Sequence, residues 1–410
     1  MTIEVNLPKG ASIERRTVAI LALAFGVVML DRMVQLFLGP ELVTAFNLTG
    51  QQIGLLAAAM SVSWGVSSFL FGMVSDQIGR KRVLVPAMVI FSILSCFSGL
   101  APTFEELLIC RVLLGLAEGP CFSVIMALVK DSSSVDTRGR NIGATNSMGP
   151  LVGAAIAPVF ATQIAAAFGW REAFFLAAIP GFILAFLVWK FVPEPERAND
   201  QSDQSYSKMA SLFEVMRYPQ LWACFLGAFL LGSWIFSITV FAPLYLTRVQ
   251  GLSGTTAGFL MAATGLGGFL SSIFWPTVSD RLGRKKVLLI LGGLAAMQPL
   301  VAIWGSMLGG SWVTATLLLI TATGPAIAAL VMILLPSEAV PRRLSATAIG
   351  FAVMGAEVFG ATLAPLLGGA LADSSGLSAP LYLAVGAGLG IMIIGGLMKT
   401  HREVTQSQTN

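Results

Sequence analysis

Charge is what this sequence has least of. Only 11% of its residues are Asp, Glu, Lys or Arg, where a soluble domain carries about a quarter. A surface that poor in charge is not built to face water. Histidine occurs once, as His401, so neither a histidine zinc site nor a histidine proton relay can be assembled. The four cysteines, Cys96, Cys110, Cys121 and Cys224, fall at irregular spacing inside apolar runs. They read as small core residues rather than disulfide partners or metal ligands. No G-x-x-x-x-G-K-[ST] stretch is present, so nucleotide hydrolysis is not the expected energy source. No soluble catalytic domain is visible either; an enzyme is disfavoured, and no cofactor or metal is expected.

What fills the chain instead is apolar sequence, 56% of the total, with 43 glycines. Several runs exceed the 18 uncharged residues needed to cross a hydrocarbon core about 30 Å thick. Glycine suits helices that must pack closely in lipid, where burial alone gives little drive to associate. Residues 1–16 are polar, and the first apolar run is too long for a signal-peptide core and lacks a small-x-small cleavage site. It reads as a helix that stays.

The spacing predicts helices over 17–38, 53–75, 83–101, 107–130, 142–168 and 173–192, then over 220–246, 255–277, 287–306, 312–335, 344–371 and 379–398. The fold class expected is therefore all-α and integral to the membrane, with twelve transmembrane helices. Residues 193–218, rich in Pro, Asp, Gln and Ser, form the long polar stretch inside the chain. They divide it into an N-terminal six-helix bundle (17–192) and a C-terminal one (219–398), with short tails at 1–16 and 399–410.

Lys and Arg orient the spans. With the N-terminus inside, 21 of the 25 basic residues fall on cytoplasmic segments, Arg171 and Arg248 lie outside, and Arg32 and Arg111 lie within spans. Both termini are expected in the cytoplasm. The basic balance is thus a topology signal rather than a sign of nucleic-acid binding. Short loops and compact tails point to a bacterial inner membrane and a functional monomer in contact with lipid.

The loop after the second helix reads Gly72-Met-Val-Ser-Asp76-Gln-Ile-Gly79-Arg80-Lys81-Arg82-Val83. The loop after the eighth reads Pro276-Thr-Val-Ser-Asp280-Arg-Leu-Gly283-Arg284-Lys285-Lys286-Val287, at an offset of 204 residues. Positive-inside bias alone does not reproduce the Val-Ser-Asp and the glycine, so the halves read as a duplication. An Asp at a helix end can accept from a neighbouring helix N-terminus, the Gly permits a tight turn, and the basic run meets inner-leaflet phosphates. Gly72, Asp76, Gly79 and Arg80, with Asp280, Gly283 and Arg284, are the candidate gating residues.

This doubled G-x-x-x-D-x-x-G-R-K-R loop resembles the signature loop of the major facilitator superfamily. Asp136-Thr-Arg138-Gly-Arg140, Gly169-Trp170-Arg171 and Pro341-Arg342-Arg343-Leu-Ser-Ala-Thr-Ala also fit. The resemblance runs over about residues 15–400 and implies two six-helix bundles around a central cavity that opens alternately to either side.

Five ionisable residues lie well inside spans: Asp31, Arg32, Arg111, Glu118 and Glu357. Each costs about 2.5–3.5 kcal/mol at a helix centre and so must meet a partner or a wet cavity. At 1.5 Å per residue, Asp31 lies roughly 10 Å below the outer end of the first helix, Arg111 roughly 6 Å below that of the fourth, and Glu118 about 10 Å deeper. Arg111 and Glu118 share a face, with Gly115 between them. One reading is an ion-pair clamp between two helices. The other gives the arginines to an anionic substrate and makes Asp31 and Glu118 the proton carriers.

Asp31-Arg32 and Arg111-x6-Glu118 resemble the helix-one and helix-four pairs of the anion:cation symporters for organic acids, within the same superfamily. That resemblance implies proton-coupled symport of a small organic anion. Sugar-acid carriers of that branch have a tyrosine two residues before the Asp; Met29 stands there instead. With Trp64 and Trp234 at similar depth and Asn146 among few polar cavity residues, a less hydroxylated carboxylate is expected. Glu357 could be a second proton site, a substrate contact or a neutral packing residue. Trp234, Phe241 and Tyr245 on the seventh helix could line the cavity or merely pack. Drug efflux remains an alternative, from Gly149-Pro150-x-x-Gly153, which partly resembles the antiporter motif but continues with Ala154. Lysolipid transport is another, and a non-transporting sensor a third, for which no partner-binding domain is visible.

Overall fold

A computed structural model describes residues 9–134, 136–194, 214–341 and 344–397. Apolar runs of this length leave the backbone no partner in lipid but itself, and they close as helices. The N-terminal group comprises α1 (Lys9–Phe37), α2 (Gly39–Phe46), α3 (Gly50–Ile78), α4 (Arg80–Leu100), α5 (Phe104–Ser132), α6 (Arg138–Phe168) and α7 (Trp170–Phe191). The C-terminal group comprises α8 (Pro219–Arg248), α9 (Gly254–Leu282), α10 (Arg284–Gly305), α11 (Met307–Glu338), α12 (Thr347–Ser375) and α13 (Ala379–Leu397). Eleven of these are long and apolar enough to cross a membrane; α3, a helix of 29 residues, completes the twelve. Most of the expected linker, residues 195–213, lies outside the described residues, as do residues 1–8 and 398–410.

The short helix α2 is the one element that periodicity did not reveal. Pro40 sits in its first turn, where a missing N–H costs nothing, and Asn47 ends it in the left-handed region. It is too short to show a pattern, and it rides on the end of α8, where Arg248 reaches the Pro40 carbonyl at 3.1 Å and bonds Thr44.

Polar residues fix where the long helices begin. Thr49 and Gln52 form a reciprocal capping box on α3, Thr103 accepts from the Glu106 N–H at the start of α5, and Ser253 accepts from the Thr256 N–H on α9. The duplication seen in the loops extends to their geometry. Gly79 and Gly283 turn α3 into α4 and α9 into α10 at φ 113° and 89°, a region other side chains rarely adopt. Arg80 then pairs with Asp131 at the end of α5, as Arg284 pairs with Glu338 at the end of α11 at 3.2 Å.

The two bundles touch from their middle to the end opposite these basic loops. There the Asp373 carboxylate at the end of α12 accepts from the Gly50 and Gln51 N–H groups at the start of α3, at 2.6 and 2.9 Å. Ala154 of α6 packs against Gly265 of α9. Toward the basic end no such contact joins the bundles among the described residues, and a Cβ added at Gly143 of α6 or Gly350 of α12 would meet nothing within 4 Å. The cleft between the bundles therefore opens at the basic end and is shut at the far end.

Candidate functional site

Asp31 and Arg32 are neighbours on α1 and point about 100° apart, and the structure uses that divergence to build two different environments. Asp31, 1% exposed, turns into the N-terminal bundle and accepts a hydrogen bond from Ser95 of α4. Arg32, 5% exposed, turns to the interface between the bundles.

The first environment lies wholly within the N-terminal bundle. Gly115 lets α5 press onto α3, since a Cβ there would collide with Ser63 and the Met60 carbonyl. Arg111 and Glu118, on this helix, are both 0% exposed. The Arg111 guanidinium donates to Ser98 Oγ and lies 5.1 Å from the centre of the Phe174 ring. Its Nε and Nη1 have no hydrogen-bond acceptor, and Asp31 and Glu118 are the carboxylates that act on it. Glu118 and Asp31 lie close enough to act on each other's charge. Neither Glu118 oxygen nor Asp31 Oδ2 receives a donor, because two ionised carboxylates can only accept. A proton on one of them supplies a donor.

The second environment bridges the bundles. The Arg32 guanidinium is held between Trp64 of α3 and Phe236 of α8, 4.6 and 5.7 Å from the two ring centres. Its Nη2 lies 3.3 Å from Glu357 Oε2 of α12, whose side chain is 30% exposed. Glu357 sits in a π-helical stretch, Gly355–Gly360; α6 and α11 carry similar stretches at Gly149–Ile156 and Ala329–Leu334. Such bulges leave backbone groups off the regular ladder and concentrate at functional sites.

The expected site residues therefore sort by place. Arg32, Trp64 and Glu357 meet at the interface. Arg111 does not: it is sealed inside the N-terminal bundle with the two carboxylates, out of contact with the cleft in this conformation. Asn146, three residues beyond Gly143 on α6, is exposed and makes no side-chain hydrogen bond among the described residues, consistent with a wall of the open cleft. Trp234 is buried in the C-terminal bundle, its Nε1 donating to the Ala295 carbonyl at 2.7 Å. Tyr245 is buried about one turn from the far end of α8. For these two the packing alternative fits.

Of the gating residues, Arg80, Gly79, Gly283 and Arg284 behave alike in the two halves, and Asp280 pairs with Arg284 at 2.6 Å. Gly72 and the Asp76 side chain lie outside the described residues. Glu194 at the basic end accepts from the Lys81 N–H at 3.0 Å, and Asp373 at the far end caps α3. Ser95, Ser98, Phe174 and Phe236 are the site residues that the sequence reading passed over. Ser95 and Ser98, a polar i, i+3 pair on an apolar helix, are the one available signal.

Two bundles of apolar helices with buried charge at their junction define an all-helical integral membrane protein. The profile of the Major Facilitator Superfamily matches residues 21–358, and the chain belongs to that superfamily. It is 31% identical over 264 residues to a hexuronate transporter of Bacillus subtilis, covering 62% of each chain. It is 29% identical over 336 residues to a probable 4-methylmuconolactone transporter of Cupriavidus pinatubonensis, covering 77% of this chain and 74% of that one. A bacterial homologue of the human lysosomal transporter Spinster, solved inward-facing and unoccupied, superposes with a TM-score of 0.74 at 19% identity over 94% of this chain and 96% of that one.

Proposed function

We infer that the protein is a secondary active transporter that carries a small organic anion into the cell together with protons. The observation that carries this reading is the Arg32 guanidinium, held between Trp64 and Phe236 at the junction of the bundles, with Glu357 as its partner. A guanidinium matches a carboxylate by charge and by geometry. The flanking rings suit the apolar or unsaturated body of an acid, which matches the compound named for the 4-methylmuconolactone relative better than the polyhydroxylated hexuronate of the other.

Coupling follows from charge balance. Three acids, Asp31, Glu118 and Glu357, face two guanidiniums, Arg32 and Arg111, in a region with little water. One unit of negative charge is left over, and a substrate anion adds another. Carrying that excess through the membrane is costly, so protons must accompany it. Asp31, with Oδ2 lacking a donor, and Glu118, with neither oxygen receiving one, are the places to put them. Arg111 balances this pair rather than touching the substrate.

The basic end is the cytoplasmic face by the distribution of Lys and Arg, so the cleft described here is open to the cytoplasm. Release of substrate and protons there, relaxation of Arg32 onto Glu357, and reopening at the far end complete a cycle. The test is counterflow in proteoliposomes with a panel of mono- and dicarboxylates, comparing wild type with Arg32→Ala. Saturable exchange of at least one carboxylate, lost in the variant, is expected. Exchange that survives Arg32→Ala would remove the substrate assignment.

A further inference from the structure

A concave surface also lies away from the central cleft. A groove of about 500 Å3 runs up the outer wall of the N-terminal bundle between α3, α4 and α5, on a face away from α12 and the bundle interface. We propose that it is a site for one acyl chain of an anionic phospholipid, whose phosphate binds Arg82.

The shape is set by small and interrupted backbone. Ala87 and Ala117 form a low floor where neighbouring positions carry large side chains, and Pro86 and Pro120 stand beside them within their helices. The banks are apolar and open to the bilayer: Ile78, Ile90, Leu113 and Leu116 are each between 39 and 48% exposed. From Arg82 to Leu94 the groove follows α4 for twelve residues, about 18 Å at 1.5 Å per residue. That matches one leaflet of a hydrocarbon core about 30 Å thick.

The charge at its mouth selects the headgroup. Among the described residues, Arg82 is the one charged side chain lining the groove. It sits in the first turn of α4, at the level of the basic loops. Its neighbours in the basic run are committed: Arg80 pairs with Asp131, and Lys81 donates from Nζ to the Val192 carbonyl at 3.0 Å. Arg82 is exposed and makes no ion pair or side-chain hydrogen bond among the described residues. A free guanidinium above an apolar channel of about 18 Å, with no carboxylate among the described residues that line it, complements an anionic amphiphile and repels a cationic one. A phosphate on Arg82 gains charge-assisted, bidentate bonds, and the chain gains contact along the floor.

The site predicts selective retention. The full chain, delipidated in neutral detergent, is titrated with phosphatidylglycerol, phosphatidylcholine or inorganic phosphate, and bound molecules are counted by native mass spectrometry. One phosphatidylglycerol per chain is expected to bind about tenfold more tightly than phosphatidylcholine, a difference of about 1.4 kcal/mol. Inorganic phosphate should not displace it. Arg82→Gln should abolish the preference, and Ala87→Leu, which raises the floor, should weaken both lipids while leaving the charge in place. Equal retention of the two lipids, or a preference unchanged in Arg82→Gln, would overturn the proposal. So would displacement by phosphate alone, which would make Arg82 a simple anion site. Should Ala87→Leu not fold, shortening the acyl chains of the added lipid tests the channel in wild-type protein: affinity must fall with chain length.

Discussion

Arg32 of α1 and Glu357 of α12 form an ion pair at 3.3 Å that joins the two bundles. Glu357 presents to Arg32 the same carboxylate chemistry that an organic acid would. In the cycle proposed above it occupies the place of a substrate carboxylate, and substrate displaces it.

Glu357→Gln therefore removes a competitor. The apparent affinity for substrate anion is expected to rise about three- to tenfold, the worth of a partly exposed pair of about 1 kcal/mol. Counterflow KM reads this directly. A weakened affinity would make Glu357 a substrate contact instead.

Arg32→Lys is not a mild change here. An ammonium keeps the charge but lacks the planar fork that presents two parallel donors beside Trp64 and Phe236. Transport is expected to fall at least tenfold, close to the loss in Arg32→Ala.

Arg111→Ala leaves two carboxylates enclosed without their cation. Breaking such a network costs about 3–5 kcal/mol, and the detergent-solubilised protein should melt markedly lower. Adding Glu118→Gln to Arg111→Ala should recover part of that loss, a non-additivity expected of groups in contact. If the double variant is less stable than either single one, the charge balance drawn here is wrong.

The far-end closure should respond to pH through Glu41 of α2. Burial raises its carboxyl above the usual range, with Arg248 opposing the shift. Opening that end would return Glu41 to water and to its ordinary value. The closed far end is thus favoured below the ordinary glutamate range, and that advantage is lost as pH rises through the raised value. Spin labels on residues 101–103 and 376–378 should report a shorter distance in acid, and Glu41→Gln should remove the dependence. Asp373→Asn, which weakens the cap on α3, should lengthen the same distance at every pH.

The residues that made the fold legible were those bound by period or by cost. Apolar runs gave the spans, the repeated loop gave the halves, and Gly79 and Gly283 proved to turn alike. The five membrane charges could be named because each is expensive, but their partners could not. Asp31 and Arg32 are adjacent, and only a structure shows that one faces Ser95 while the other crosses to Glu357, 325 residues away. Arg111 reads as a substrate residue in one dimension and lies sealed beside Phe174 in three. Phe236 carries no local signal at all, since an aromatic on an apolar helix looks the same whether it meets lipid or a guanidinium.

The central claim, that Asp31 and Glu118 couple protons to anion movement, is tested most directly by Glu118→Gln in proteoliposomes. Uptake of a transported carboxylate is measured with and without an imposed inward proton gradient, alongside exchange at equal pH. Retained exchange with loss of gradient-driven accumulation is the predicted result. Accumulation at the wild-type level in Glu118→Gln, and again in Asp31→Asn, would contradict it.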